Sequence, residues 1–288
     1  MTSFRIVMLG GPDSGKTNFF VRLWSALDAG DGTLSAKATP DDIKYVEDAL
    51  AHLHSGEFAP RTDTSLQGSL TISLETAADH GGLSGDLTIP DMSGEVWQMA
   101  ADNGELPDQW MDALESATGA MLFVRAHSPL NIMPLDWVNS EALMRLHGAG
   151  EDTETLPTQV LLCELVRFLE EKIGFRSDGA RPRLAVIITA WDLLDAEEAR
   201  AGPQAYIASQ YPLLAGRLRD LDRFDVALFG VSIVGGDLND DPNFRTEFFK
   251  EKFDETGWIM LDTADGVRKL SDLTLPVAWA VGATIAPA

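Results

Sequence analysis

The octapeptide Gly10-Gly11-Pro12-Asp13-Ser14-Gly15-Lys16-Thr17 constrains this chain more than any other stretch, because it satisfies G-x-x-x-x-G-K-[ST] at every fixed position. It follows the apolar run Phe4 to Leu9, which reads as a buried strand, and opens the helical segment Lys16 to Ala29. Strand, glycine-rich turn and helix in that order are what a backbone needs to wrap a phosphate. Gly10 and Gly15 allow a tight turn, so that N–H groups of Gly11, Asp13, Ser14, Gly15 and the first helical residues through Asn18 converge on phosphate oxygens. Lys16 places a point charge between the outer two phosphates, Thr17 offers a hydroxyl to Mg²⁺, and the helix adds its positive dipole end.

Composition narrows the partners. Lys and Arg number 22 against 45 Asp and Glu, a net charge of -23, and 45% of residues are hydrophobic. That hydrophobic content excludes a disordered polyacid. The charge, with no basic cluster, argues against nucleic acid and against an anionic membrane surface. It would also repel an unshielded triphosphate, so tight binding is expected to need Mg²⁺ and local donors. The single cysteine, Cys163, excludes an internal disulfide and a Cys-rich zinc site. No signal peptide is visible, and Leu273 to Ala288, with Pro276 and Pro287, is too short for a membrane span and reads as a docked terminal helix. A cytoplasmic protein is the expectation. His52 and His54 match no metal-ligand spacing and read as surface residues.

Short strand-like runs alternate with longer helical ones, which specifies an α/β fold with a mixed, mostly parallel sheet flanked by helices. Ser69 to Leu74 and Gly85 to Ile89 flank a turn-rich stretch and predict an antiparallel hairpin. Ala120 to Ala126 and the continuous apolar run Leu184 to Thr189 read as central strands. Thr158 to Ile173 and Gln204 to Leu218 read as helices, and Val226 to Ser232 is expected to close the sheet. Without a linker or repeat, residues 1–288 read as one domain with insertions near 31–60, 128–157 and 236–262.

A second motif, Asp91-Met92-Ser93-Gly94-Glu95, follows the strand ending at Pro90. Asp91 is placed to support Mg²⁺, Gly94 to bring a backbone N–H to the γ-phosphate, and Glu95 to face the attacking water. With these two motifs the chain resembles P-loop GTPases of the translation-factor and Ras-like class, over roughly residues 4 to 233. The resemblance implies a base-reading [NT]-K-x-D motif after a later buried strand. Thr189-Ala190-Trp191-Asp192 keeps the threonine and the aspartate but has Ala190 in place of lysine. In the family the aspartate pairs with the two guanine ring donors and the lysine stem covers the base. Asp192 can still select guanine, and Trp191 offers alternative stacking. Ser232 and Ile233 lie where the family puts its last guanine loop. The family also takes a Mg²⁺ ligand from a threonine between the first helix and the hairpin, a role open to Thr62 and Thr64. Arg61 beside them could neutralise charge on the γ-phosphate. The large insertions, Glu95 and the terminal Pro276-x-x-Trp279 resemble bacterial double-GTPases of multi-gene conflict systems.

The resemblance therefore implies GTP or GDP with Mg²⁺, Glu95, Arg61 and Lys16 as catalytic residues, and a switch with slow hydrolysis. Its partners would be effector or regulator proteins of the same multi-component system. A hydrolysis-deficient nucleotide-binding scaffold and an adenine-specific P-loop ATPase or kinase remain as alternatives.

Overall fold

The computed structural model of the chain describes residues 2–40, 44–58, 69–76, 82–90, 94–106, 108–134, 156–176, 178–238 and 240–283. The expected apolar runs become strands β1 (Thr2–Leu9), β5 (Gly119–Arg125), β6 (Arg183–Thr189) and β7 (Asp225–Ser232). With β4 (Ser84–Pro90) they lie parallel in the order β4-β1-β5-β6-β7. Antiparallel strands extend both edges. β3 (Ser69–Thr76) pairs with β4 as the expected hairpin, and β2 (Leu34–Ala36) pairs with β3.

The other edge differs from expectation, because β7 does not close the sheet. β8 (Trp258–Thr263) pairs antiparallel with β7, and β9 (Gly266–Leu270) follows it. Thr263 faces Gly266 across a two-residue turn, Ala264-Asp265. Gly266, the first residue after the turn, has φ +120°, a backbone that a side chain would strain, so a glycine closing the turn was a hairpin signal. The segment 236–262 thus supplies part of the sheet, and 31–60 supplies β2 and a helix.

The helices, in order, are α1 (Lys16–Ala29), α2 (Lys44–His54), α3 (Gly94–Asn103), α4 (Asp108–Glu115), α5 (Thr158–Lys172), α6 (Ala196–Ala201), α7 (Pro203–Gln210), α8 (Pro212–Arg219), α9 (Pro242–Phe248) and α10 (Leu275–Val281). The helix expected over Gln204 to Leu218 is two helices. Pro212 has no N–H to continue the ladder of α7, and Tyr211 leaves helical geometry at φ −132°. The terminal helix docks as expected, with Val277, Ala278, Ala280 and Val281 buried.

Strict alternation along the central strands builds two cores. Ile6, Met8, Met121, Phe123, Ala185 and Ile187 face α1 and α10, whereas Val7, Leu9, Leu122, Val124, Val186 and Ile188 face α3, α4, α5, α7 and α8. This sandwiching explains why β5 and β6 read as unbroken apolar runs. The chain runs from β1 out to β4 on one side and then crosses to β5 on the other. The sheet's switch point therefore lies at the carboxyl end of β1, where open α/β sheets bind ligands. His54, at the end of α2, is exposed with its ring edge-on to Phe253 at 4.4 Å. Among the described residues no cluster of His, Cys, Asp or Glu has a metal-binding arrangement, and no helix is long and apolar enough to cross a membrane.

Candidate functional site

At that switch point the phosphate loop leaves β1 and enters α1. Its backbone takes positive φ at Gly10 (154°), Asp13 (58°) and Gly15 (85°), turning successive N–H groups inward into an anion nest. Both glycines are required by close packing as well. A Cβ at Gly10 would stand 2.8 Å from the Phe123 carbonyl and 2.8 Å from Ser14 Oγ, and one at Gly15 would stand 2.9 Å from Thr189 Oγ1. The Lys16 ammonium folds over the loop and donates to the carbonyls of Gly10 (2.8 Å) and Gly11 (3.0 Å) and to Ser14 Oγ (3.1 Å). Ser14 is buried, and Thr17 and Asn18 lie in the first turn of α1.

Thr189 stands directly behind the phosphate loop. Buried at the end of β6, its hydroxyl donates to the Ser14 carbonyl at 2.9 Å and braces the phosphate loop from behind. The chain then turns through Ala190, itself in the left-handed region at φ 54°, into a 3-10 turn over Trp191–Leu193. Asp192 emerges beside the last residue of β7, close enough for the Ser232 hydroxyl to favour its charged form. Burial is the main influence on Asp192 and pushes its carboxyl above the ordinary range; the Ser232 and backbone hydrogen bonds and the Arg125 charge oppose this, while Asp237 reinforces it. A carboxylate held partly dehydrated is suited to pairing with ligand N–H donors.

Trp191 corrects the sequence reading. Its ring is fully buried, edge-on to Tyr206 at 5.5 Å and against Gly230, where an added Cβ would meet the indole at 2.4 Å. An indole enclosed in the core has no face to offer a base. Ser232 is buried and accepts from the Gly235 N–H at 2.9 Å, and the Ile233 carbonyl accepts from Arg22 Nε at 3.2 Å. These two residues therefore shape the turn beside Asp192.

Gly94 opens α3 at the carboxyl end of β4, and Glu95, half-buried, lies in the first turn of that helix. Asp91, Arg61, Thr62 and Thr64 lie outside the described residues.

Two arginines matter that the motifs did not single out. Arg22, on α1, is 2% exposed and reaches the Phe253 and Thr256 carbonyls at 3.0 and 2.7 Å as well as Ile233. It ties the helix behind the phosphate loop to the turn beside Asp192. Arg125, at the end of β5, pairs with Asp13 of the phosphate loop at 2.8 Å. An acidic residue in a phosphate-binding turn is itself a signal that a cation must stand near it.

A phosphate loop of this geometry, on a mixed and largely parallel sheet flanked by helices, defines the P-loop GTPase fold class. The chain belongs to the Double-GTPase 1 family, whose model matches residues 7–280, and it is accordingly a GTP-binding GTPase, a hydrolase. Among solved structures it is similar to a chain of the signal recognition particle receptor SRb-GTP/SRX complex from Chaetomium thermophilum, at 14% identity and TM-score 0.41, covering 87% of this chain and 97% of that one. No curated protein matches. The residues present fit the GTP and Mg²⁺ that the family implies. Gly10 and Gly15 leave a cradle that a Cβ would fill, Lys16 supplies an ammonium, and Thr17 supplies a hard oxygen ligand of the kind Mg²⁺ takes.

Proposed function

We propose that this protein is a GTP-dependent switch with slow hydrolysis, acting on a partner protein of the same multi-component system. One observation carries the reading: the phosphate loop and Asp192 share one short turn, since Thr189 at its start donates to the Ser14 carbonyl and Asp192 follows three residues on. A site built this way senses phosphates and base as one unit. Lys16 and the loop N–H groups hold the β- and γ-phosphates, and Thr17, with Asp91 and either Thr62 or Thr64, would hold Mg²⁺. Bound there, the ion neutralises phosphate charge. Asp192, next to Ser232 and Ile233, selects guanine, because adenine would leave its carboxylate unpaired.

Slow turnover follows from charge. Glu95 carries the same sign as the γ-phosphate, so it can orient water but resists approach, and Lys16 is the cation within the loop itself. Arg61 would supply the missing positive charge as the bond breaks. The loops of such a switch would order around Mg²⁺ and the γ-phosphate and relax after cleavage, changing the surface offered to a partner.

The test is phosphate release from GTP and ATP side by side, in multiple and single turnover, for the wild type, Glu95→Ala and Arg61→Ala. Slow GTP hydrolysis without ATP hydrolysis, and single-turnover losses in both variants with GTP affinity retained, is the expected result. Equal use of ATP and GTP would replace this reading with an ATPase. GTP binding without any release would replace it with a nucleotide-locked scaffold.

A further inference from the structure

Position 190 is where the base-reading motif calls for a long cationic side chain, and Ala190 ends at Cβ. A cation stands at the same end of the sheet, one strand away. Arg125 is in register with Thr189 across the β5–β6 ladder. Its backbone is fixed on both sides: the Tyr211 hydroxyl donates to the Arg125 carbonyl at 3.3 Å, and the Ala126 N–H donates to the Thr189 carbonyl at 2.9 Å. By the alternation along β5, the Arg125 side chain leaves on the Phe123 face, the α1 side that carries the phosphate loop. There its guanidinium donates to Asp13 Oδ2 at 2.8 Å.

Stability is a poor account of this arrangement. Both partners are about one third exposed, 32% and 29%, and such pairs contribute only about 0–1 kcal/mol. Against that, Arg125 Nε is buried with no hydrogen-bond partner among the described residues. Nearby, the same guanidinium acts on Asp192, favouring its charged form. One side chain therefore holds a carboxylate of the phosphate loop and carries its charge on the side of the base-reading turn. It also cancels the charge of Asp13, which would otherwise repel the phosphates.

We infer that Arg125 takes the place of the cation absent at position 190. Latched to Asp13, it is a positioning residue for guanine nucleotides that spans the phosphate loop and the Asp192 side of the pocket. A planar guanidinium on an aliphatic stem suits this task, since it can cover a base and carry charge at once. The inference rests on Asp192 being the guanine-selecting residue.

The experiment measures equilibrium binding of a fluorescent GDP analogue, with GTP and ATP as competitors, to the full chain. The variants are Arg125→Ala, Ala190→Lys and the two combined, each checked by thermal melting. Arg125→Ala should weaken GDP and GTP by about tenfold or more, the scale of one desolvated cation contact over a base. Ala190→Lys should restore most of that loss in the combined variant, because the lysine re-enters from the neighbouring strand, while adding little alone. A structural role would not be rescued this way. Wild-type affinity in Arg125→Ala, or a loss that Ala190→Lys leaves unchanged, overturns the inference. If Arg125→Ala fails to fold, Arg125→Met, which keeps the stem, is read with and without Ala190→Lys by the same criteria. Failure of the wild type to prefer GTP over ATP overturns the guanine reading itself, before any variant is made.

Discussion

At the scale of single residues, the guanine-pairing role proposed for Asp192 sets binding against stability. Because burial raises its pKa in the folded protein, the native state holds a proton to higher pH than the unfolded chain. Stability from this group is therefore present in full below the ordinary carboxylate value and is lost as pH rises through the raised one. Once ionised, the carboxylate is a cost to the nucleotide-free protein. Asp192→Asn should raise its melting temperature by roughly 2–4 °C for each 1 kcal/mol relieved. The same change should weaken GTP by about 2–4 kcal/mol and shift preference toward xanthosine triphosphate, whose extra carbonyl suits an amide. Calorimetry without nucleotide and competition binding with it check both halves; lower stability with unchanged GTP affinity would sink the assignment. The turn that carries Asp192 was legible because it directly follows a buried apolar strand. Trp191 misled because sequence adjacency does not say which way a side chain leaves a 3-10 turn, and Ala190 at φ 54° turns the indole inward. Arg22 and Arg125 carried no motif, since their partners lie 211 and 112 positions away.

At the scale of elements, the strands and α1 were readable from alternation and apolar runs, which the two-sided burial of the sheet enforces. What escaped was set by local chemistry at edges, namely Pro212 splitting one helix and the Ala264-Asp265 turn, closed by Gly266, adding a hairpin. Contacts between elements left no trace in the sequence, and Arg22 is the clearest case. It holds α1 to the turn after β7 and to 253–256, through carbonyls of Ile233, Phe253 and Thr256 and a stacking contact over the Phe253 ring at 4.6 Å. Arg22→Met keeps much of the stem but leaves those carbonyls without their donor in a buried setting. The expected cost is about 2–4 kcal/mol, more than one charge-assisted hydrogen bond alone. Urea unfolding should show a lower midpoint with an unchanged slope. Nucleotide exchange should also quicken, because the turn beside Asp192 loses its tie to the phosphate-loop helix. A stability change within about 0.5 kcal/mol, the range of ordinary surface positions, would mean that the packing and not the hydrogen bonds holds this junction.

At the scale of the whole molecule, a net charge of -23 surrounds a site built to hold a polyanion. Locally the balance is reversed: inward N–H groups, the dipole of α1 and Lys16 favour phosphate, and Arg125 cancels Asp13. These local terms act within a few ångströms, whereas the repulsion from 45 acidic side chains reaches as far as the Debye length allows. That length is about 30 Å at 0.01 M salt and about 8 Å at 0.15 M. Salt therefore screens the repulsive approach far more than the contacts made on arrival. The association rate of GTP, measured with Mg²⁺ at saturation, should rise as ionic strength increases over this range, while the dissociation rate stays nearly constant. Basic nucleotide and phosphate sites do the opposite, because steering by attraction weakens with salt. Omitting Mg²⁺ should steepen the dependence, since the free triphosphate carries more negative charge. Stopped-flow binding with a fluorescent GTP analogue reads both rates. An association rate that falls with salt would show that the field of the phosphate loop and its neighbours outweighs the acidic surface, and that the charge of the chain serves some surface away from the nucleotide.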